Sequence, residues 1–434
     1  MSEADLHQQI RNLTDLLEVA REIGATVELD PLLRSIEQAA LRVLDCERVT
    51  VFLSDAGRGE LFSRLATGAG EIRFPVTRGI AGEAARTGRI VNVPDAYADA
   101  RFNRDVDKST GYRTRNLLAF PMRGYDGQVV GVLQVLNKRG DAFTAEDESL
   151  AAALSSLTGV AVQRQMLLEE YAEKQKLQRD LSIARDIQQS LLPKENPCVE
   201  GFDVAGWNKP ADETGGDCYD FFDLPGGRLG LLLADATGHG IGPALVVSEC
   251  RACLRSLAAT TDDLGAVMSR TNELLYEDLG GGRFVTLFFG VLDPRGGRID
   301  YLSAGHGPLM VYRRSDGSCR TLPATTMPLG IMPEIDASAG EPVVLAPGDM
   351  FIVVTDGFFE WADAEGEQCG VERLFDVVRR NPGASAADLI RLMHETVTEF
   401  GRGTPQADDL TAIVIRRPSP VEIPFSELPG HRSP

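Results

Sequence analysis

Apolar residues recur with a helical period in three stretches of the chain. In residues 3–24 they stand three or four positions apart, with charged residues between them. The stripe consists of Leu6, Ile10, Leu13, Leu17 and Ala20. Such spacing places the apolar side chains on one side of a helix. We therefore predict an N-terminal helix over residues 1–24, and the same pattern predicts an amphipathic helix over residues 32–43.

The third helical stretch, residues 145–192, is much longer than a usual globular helix. Thr144 is a suitable N-cap before several acidic residues, and Pro193 closes the far end. A polar stretch at 169–176 interrupts the apolar spacing, which then resumes. A coiled-coil connector fits this length and spacing. The alternative is a helix that folds back onto one of its neighbours.

Residues 25–165 mix helical patterns with strand-like ones. Residues 49–53 read as a strand that ends in a turn, and two apolar runs flank Tyr125-Asp126-Gly127. Asp-Gly between two apolar runs is a hairpin signal. We predict an α+β domain here.

Residues 196–417 contain many β-patterned runs and two helical stretches. The runs are 229–234, 284–292, 299–302, 310–313, 350–355 and 410–416, and the helical stretches are 243–259 and 264–277. This order predicts a second α+β domain in which helices flank sheets. Residues 418–434 are proline-rich and polar, and we expect them to be disordered.

Four short acidic motifs lie at the predicted ends of apolar strands in the second domain. They are Gly215-Gly216-Asp217, Asp235–Gly240, Thr355-Asp356-Gly357 and Asp408-Asp409-Leu410-Thr411. One Asp-Gly at a strand end is usually only a turn, but four in one domain favour convergence. Carboxylate oxygens are the ligands that Mg²⁺ and Mn²⁺ prefer, and a two-metal centre suits hydrolysis of a phosphate ester. The motifs predict a metal-dependent phosphatase.

Composition narrows the function classes. The 434 residues favour two domains, and a net charge of −20 argues against a nucleic-acid or anionic-membrane footprint. No apolar run approaches the length of a membrane span and the first residues do not resemble a signal peptide, so we expect a cytoplasmic protein. Cys250 and Cys253 form a CxxC within a helical pattern, which favours two small core residues over a metal or redox site.

Residues 193–416 resemble the bacterial branch of the metal-dependent type 2C protein phosphatases (PPM superfamily), the SpoIIE/RsbU-like serine phosphatases. Beyond the four acidic motifs, the resemblance rests on further stretches. These are Leu191-Leu192-Pro193, Ser303-Ala304-Gly305-His306, Pro347-Gly348-Asp349, Glu360 and Gly370–Leu374. The resemblance implies an α/β/β/α sandwich with two Mn²⁺ or Mg²⁺ ions at one end of the sheets.

By position in that family, Asp235 would bridge both metals and the carbonyl of Ala236 would bind one of them. Asp217, Asp356 and Asp408 would complete the ligand set, and Asp409 would orient its neighbour. A metal-bound hydroxide would then attack a phosphoserine or phosphothreonine. The implied partner is a phosphorylated regulatory protein of the anti-sigma-factor antagonist type.

Eukaryotic relatives in this family bind phosphate with an arginine that has no obvious counterpart in this sequence. No arginine lies between Lys209 and Asp217, so the group that binds phosphate is not identified. His239 and His306 lie in motif loops. Each could act as a general acid or form structural hydrogen bonds as a neutral ring. We favour the structural role.

Residues 13–165 resemble a GAF domain, a sensor fold with a six-stranded antiparallel sheet. Asn137-Lys138, Phe143 and Asp147-Glu148 match the spaced signature of cyclic-nucleotide-binding members. Lys138 and Asp147 are therefore candidates for a ligand-related role, or they form an internal salt bridge. The resemblance implies a pocket for a cyclic nucleotide or another small metabolite.

We expect a homodimer, because a helical connector with coiled-coil spacing favours parallel association. Two rival functions stay open at this point. One is a ligand-binding adaptor with a degenerate phosphatase domain, which four intact aspartate motifs disfavour. The other is a small-molecule phosphomonoesterase.

Overall fold

The computed structural model describes residues 3–26, 28–66, 72–238, 240–280 and 282–419. The chain divides into two compact units, Met1–Lys176 and Leu177–Pro434. No helix of the described ranges is both long enough and apolar enough to cross a bilayer.

The first unit is a six-stranded antiparallel sheet with helices. Its elements are α1 (Glu3–Ala25), α2 (Leu29–Val43), β1 (Cys46–Asp55), β2 (Glu60–Ala66), β3 (Arg73–Pro75), α3 (Gly79–Thr87), β4 (Val91–Val93), α4 (Arg104–Thr110), β5 (Leu117–Arg123), β6 (Val129–Lys138) and the start of α5 (Ala145–Leu191). The strand order is β3-β2-β1-β6-β5-β4. The predicted α+β domain and its β5–β6 hairpin are confirmed.

The N-terminal helix forms, but most of its predicted apolar stripe does not reach the core. Ile10, Leu13 and Leu17 are exposed, whereas Val19 and Ile23 are buried against α2. Among the α1 side chains that the structure describes, those in the last turns contribute to the core of this unit, and the predicted helix is confirmed.

α5 is one continuous helix of 47 residues, as predicted. Its start is capped by a reciprocal pair, because Asp147 N donates to Thr144 Oγ1 (3.3 Å) and Thr144 N donates to Asp147 Oδ2 (2.8 Å). Several large apolar side chains along it are exposed. They are Val160, Leu167, Leu168, Tyr171, Leu177, Ile183 and Ile187.

The second unit contains two five-stranded antiparallel sheets. Its elements after α5 are β7 (Asp203–Lys209), β8 (Asp217–Leu224), β9 (Arg228–Ala236), α6 (Ile241–Ala258), α7 (Leu264–Leu279), β10 (Val285–Asp293), β11 (Arg298–Ala304), β12 (Leu309–Tyr312), β13 (Cys319–Leu322), β14 (Val343–Val344), β15 (Met350–Val354), α8 (Gly357–Glu360), α9 (Val371–Arg380), α10 (Ala386–Phe400) and β16 (Leu410–Arg416). The first sheet has the order β14-β11-β10-β9-β8, and the second has the order β13-β12-β15-β16-β7.

The two sheets pack face to face, and helices cover both outer surfaces. Side chains such as Leu231, Phe288, Phe351 and Ile413 fill the space between the sheets. α6 and α7 cover the first sheet, and α9 and α10 cover the second. Burial on both faces explains why the strands read as continuous apolar runs instead of alternating ones. The predicted α/β/β/α sandwich is confirmed. Most of the tail predicted to be disordered, residues 420–434, lies outside the described residues.

Candidate active site

Two aspartates meet at one end of the first sheet. Asp217 begins β8 and Asp235 lies near the end of β9, and the antiparallel register places them directly opposite each other. Like charges in such a pair repel unless a cation or a proton lies between them. The pairing explains how two motifs far apart in sequence form one site.

Two threonine hydroxyls from the second sheet hold Asp217 in place. Thr355 Oγ1 and Thr411 Oγ1 both donate to Asp217 Oδ2, at 2.8 Å and 2.6 Å. Thr411 N also donates to Thr355 Oγ1 at 3.0 Å, which fixes that hydroxyl. These bonds span the sandwich, since Asp217 belongs to one sheet and the threonines flank strands of the other.

Asp409 is buried and accepts backbone hydrogen bonds. Ala211 N donates to its Oδ1 at 2.7 Å and Asp217 N donates to its Oδ2 at 3.1 Å. Asp408 is exposed, and its Oδ1 accepts from Asp409 N at 2.8 Å. The two neighbours thus differ in exposure, and Asp409 fixes the backbone at the start of β8.

Close backbone approaches around the carboxylates require glycine. A side chain at Gly215 would overlap the carboxylate of Asp409, and one at Gly357 would overlap its carbonyl oxygen. A Cβ at Gly216 would lie 2.7 Å from the carbonyl oxygen of Ala236. The three glycines therefore allow carboxylates and carbonyls of separate segments to converge.

Burial and mutual repulsion raise the pKa values of these carboxyl groups. Burial, reinforced by Asp235 and Asp409, raises the pKa of Asp217 well above its usual range. Burial together with Asp356, Asp408 and Asp409 raises the pKa of Asp235 to about 7. Burial together with Asp408 and Glu360 raises the pKa of Asp356 to about 6. In each group, burial and the neighbouring carboxyl groups thus disfavour the negatively charged form.

Divalent cations fit this donor set, because their charge would offset the repulsion. Across the described residues, no lysine or arginine forms an ion pair with Asp217, Asp235 or Asp356. The side chains do not converge tightly, however. In the described ranges, no three His, Cys, Asp or Glu side chains are arranged closely enough to hold an ion as they stand. The assignment of individual ligands remains a prediction.

The sequence interpretation missed Gln188, which lies near the end of α5. Its Nε2 donates to the carbonyl oxygen of Gly215 at 2.7 Å, and its Oε1 accepts from Gly215 N at 3.1 Å. The side chain is buried, although its neighbours Ile187 and Gln189 are exposed. A glutamine is unremarkable in a polar helix, so the sequence carried no signal for this contact.

His306 is buried and structural. Its Nδ1 lies 3.1 Å from Thr286 Oγ1 and its Nε2 lies 3.1 Å from the carbonyl oxygen of Val354. Burial lowers its pKa to about 4, so the ring is neutral near pH 7. This geometry supports the structural interpretation of His306. His239 lies outside the described residues.

In the first unit, the two candidates for a ligand-related role, Lys138 and Asp147, form an ion pair with each other. Lys138 Nζ donates to Asp147 Oδ1 at 2.8 Å and to the carbonyl oxygen of Leu44 at 3.1 Å. Asn137 donates to Glu47 and accepts from Arg115 N, and Phe143 is in the core. The signature residues thus hold the domain closed.

The first unit also contains a cavity of about 220 Å³ on the other side of its sheet. Lys138 and Asp147 do not line it. Its lining includes Thr50, Phe52, Arg78, Phe102 and Gln134. The signature and the cavity are therefore separate features of this unit.

Cys250 and Cys253 do not form a metal or redox site in the described structure. Cys250 is buried in the core under α6, and Cys253 is partly buried. Burial raises the pKa of both thiols. Cys250 is therefore a small core residue, and Cys253 lies at the edge of the core.

Comparison with known proteins identifies both units. The family model described as Stage II sporulation protein E (SpoIIE) matches residues 225–418, and the model described as GAF domain matches residues 28–162. The chain joins a GAF domain to a SpoIIE-type phosphatase domain. Asp235, Asp356 and Asp408 lie within the SpoIIE match, and Asp217 precedes it.

Relatives match one unit or part of the chain. Phosphoserine phosphatase RsbU of Bacillus subtilis (strain 168) is 26% identical over 246 residues, which cover 56% of this chain and 72% of RsbU. A probable 3',5'-cyclic phosphodiesterase (pde-5) of Caenorhabditis elegans is 34% identical over 185 residues, 38% of this chain. The chain spans only 25% of the length of that phosphodiesterase.

Among solved structures, the SiaA-PP2C domain of Pseudomonas aeruginosa superposes with a TM-score of 0.49 at 24% identity. The superposition covers 56% of this chain and 98% of the SiaA domain.

Proposed function

We propose that the chain is a metal-dependent protein serine/threonine phosphatase whose SpoIIE-type domain is controlled by its GAF domain. The observation that carries the proposal is the group of buried, mutually repelling carboxyl groups at one end of the sandwich. We place the sensor at 25–165, the connecting helix at 145–192 and the catalytic domain at 196–417.

Asp235, the carbonyl of Ala236, Asp217, Asp356 and Asp408 would hold two Mn²⁺ or Mg²⁺ ions. When bound, such ions lower the pKa of a water and offset charge on the phosphate.

The rest of the chain's contribution is positional. The hydroxyls of Thr355 and Thr411 fix the orientation of Asp217, and Asp409 holds the backbone before it. Rigid placement of this kind is what makes metal ligands effective.

Turnover of p-nitrophenyl phosphate and of a phosphoserine peptide tests the proposal. We expect activity with Mn²⁺ or Mg²⁺, loss with a chelator, and recovery when the cation is restored. A chain inert under every cation and candidate effector would favour the adaptor function. Much faster turnover of small phosphate esters than of phosphoproteins would favour the small-molecule phosphomonoesterase.

The proposed substrate is a phosphorylated regulatory protein of the anti-sigma-factor antagonist type. The likeness to RsbU, which is named a phosphoserine phosphatase, supports this class. The test is release of phosphate from the phosphorylated antagonist encoded nearest to the gene. If the chain turns over p-nitrophenyl phosphate but does not dephosphorylate the antagonist, this substrate is rejected. The proposed phosphatase activity is then unaffected.

The proposed effector is a cyclic nucleotide or a similar small metabolite in the cavity of the GAF domain. The cavity combines aromatic side chains with the amide of Gln134 and the hydroxyl of Thr50, which lie opposite each other on β6 and β1, and this lining suits a flat, polar-edged ligand. Isothermal titration with cAMP and cGMP tests this. Absence of heat and of any change in activity would remove both nucleotides.

We also propose that α5 mediates homodimerisation. The exposed apolar residues along α5 support it, since an isolated helix rarely leaves so many uncovered. Light scattering on the full chain would give the dimer mass. The Leu167→Gln/Tyr171→Gln variant should shift it to the monomer mass, whereas a monomeric wild-type chain contradicts the proposal.

A further inference from the structure

Six large apolar side chains next to the candidate active site are exposed, and we call them the apolar rim. Their exposed fractions range from 36% to 66%. The rim consists of Ile241, Leu245, Phe284, Met327, Ile331 and Met332. A group of exposed apolar side chains in one region of the surface marks an interaction site.

Backbone pairing attaches the rim to the carboxylate cluster. Thr237, two residues after Asp235, donates its N–H to the carbonyl oxygen of Phe284 at 3.1 Å. In the next pair along β10, Val285 and Leu329 exchange two backbone hydrogen bonds, at 2.9 Å and 3.0 Å. The segment that carries Met327 and Ile331 therefore runs beside the strand that faces Asp235.

The rim is held rigidly from below by one buried side chain. Asn272 of α7 is fully buried, and its Nδ2 donates to the carbonyl oxygens of Met332 (2.9 Å) and Pro333 (3.1 Å). Gly330 N donates to its Oδ1 at 2.9 Å. Three bonds thus fix the backbone that presents Ile331 and Met332 outward, so their exposure is built into the fold. An ordered apolar surface binds a partner at little entropic cost.

A cation lies within the rim. Arg283 is exposed and forms no ion pair with another described residue. Its guanidinium lies against the start of α6, since a Cβ at Gly242 would be 2.9 Å from Arg283 Nη1. A partner that brings a phosphate to the neighbouring carboxylate cluster is negatively charged there, and Arg283 complements that charge.

We propose that the apolar rim, with Arg283, docks the phosphorylated protein substrate. The partner would be a folded protein that exposes apolar side chains next to its phosphoserine or phosphothreonine. This inference rests on the proposed phosphatase function, because only a protein substrate must cover the surface around the site. A small phosphate ester would not reach the rim.

The experiment compares two substrates across matched variants. The substrates are p-nitrophenyl phosphate and the phosphorylated antagonist protein. The test variants are Ile331→Ser/Met332→Ser, Met327→Ser and Arg283→Ala. The control is Val344→Ser, whose side chain is also exposed but lies on β14. β14 pairs with β11 at Arg298 and Ile299, the end of the first sheet opposite to Asp235.

We expect the double variant to raise KM for the phosphoprotein about tenfold, with kcat within about twofold, because docking contributes uniform binding. Met327→Ser and Arg283→Ala should raise it about threefold, and Val344→Ser should leave it unchanged. Turnover of p-nitrophenyl phosphate should be unchanged in the serine variants of the apolar rim and in Val344→Ser, which also shows that each of these folds. If the double variant does not fold, Met327→Ser, a single change on the same segment, gives the same test.

Three outcomes overturn the inference. An unchanged KM for the phosphoprotein in folded rim variants rejects the docking surface alone. A changed oligomeric mass in the rim variants without a change in KM shows that a second copy covers the rim. A wild-type chain that turns over neither substrate rejects the proposed function, and the docking surface with it.

Discussion

The two units treat buried carboxyl groups in opposite ways. In the GAF domain, Asp147 is buried against Lys138, and its carboxylate accepts two further hydrogen bonds, from the N–H and the hydroxyl of Thr144. In the SpoIIE-type domain, the buried Asp217 lies opposite the partly buried Asp235, with no lysine or arginine paired to them in the described residues. The first arrangement is complete within the chain, and the second is not.

This difference separates the structural role of Asp147 from the functional role proposed for Asp217 and Asp235. A buried carboxylate with a lysine stabilises the fold only as long as its partner remains. A buried carboxylate beside another stores repulsion that an external cation can relieve. On the proposed function, the acids of the SpoIIE-type domain would make activity depend on a bound cation, whereas Asp147 of the GAF domain joins β6 to the start of α5 through Lys138.

The largest expected effect is a loss of turnover when Asp235 loses its carboxylate. Asp235→Asn should lower turnover of p-nitrophenyl phosphate by at least about 10³-fold, because it removes the carboxylate proposed to bridge the metals. The metal-free protein should remain folded, since the change relieves repulsion with Asp217. The thermal midpoint with and without Mn²⁺ provides a second readout, and the increase caused by Mn²⁺ should be lost.

The matched control is Asp223→Asn, an exposed acid on the same strand as Asp217. It should retain both activity and the Mn²⁺-induced rise in midpoint. Retained turnover in Asp235→Asn would contradict the two-metal proposal.

Removal of Lys138 from its ion pair with Asp147 should change the stability of the GAF domain. Lys138→Met should lower the free energy of unfolding of the GAF domain by about 3–5 kcal/mol, because Asp147 would be left buried without its partner. Urea unfolding of the full chain, followed through its separate transitions, measures the change.

Lys108→Met supplies the comparison, because Lys108 pairs with Asp105 while both are largely exposed. It should cost no more than about 0.5 kcal/mol. Equal costs for the two lysines would show that burial is not what distinguishes Asp147.

A smaller effect is expected at Gln188, which contacts the loop before Asp217. Gln188→Leu should raise the Mn²⁺ concentration for half-maximal activity about tenfold, because Gly215 would lose both hydrogen bonds. Gln189→Leu, at the exposed neighbour, should have no effect. If the two variants behave alike, the contact does not position the site.

The smallest effect is expected at the CxxC. Cys253→Ser should leave turnover within about twofold of the wild type, and the purified protein should contain no zinc, since both thiols are packed in or near the core. Stoichiometric zinc that disappears in the variant would contradict the core assignment.

Periodicity and strand-end motifs predicted two α+β domains and singled out the aspartates, whereas the six-stranded sheet and the α/β/β/α sandwich followed from the family resemblance. Apolar runs report burial directly, and Asp followed by small residues marks strand ends. The clamp on Asp217 by Thr355 and Thr411 was not predicted, because it depends on how two sheets pack across the sandwich. Nor was the exposed face of α1, because spacing predicts a stripe without saying how much of it another element covers.

The clamp on Asp217 also bears on how the enzyme is made. Thr411 lies 194 residues after Asp217, in β16, the last strand of the second sheet. During synthesis, a nascent chain that has released Asp217 and Asp235 still lacks the hydroxyl that fixes the first of them. On the proposed function, the candidate site would be completed only after β16 has been synthesised, so chains that end before β16 should be inactive.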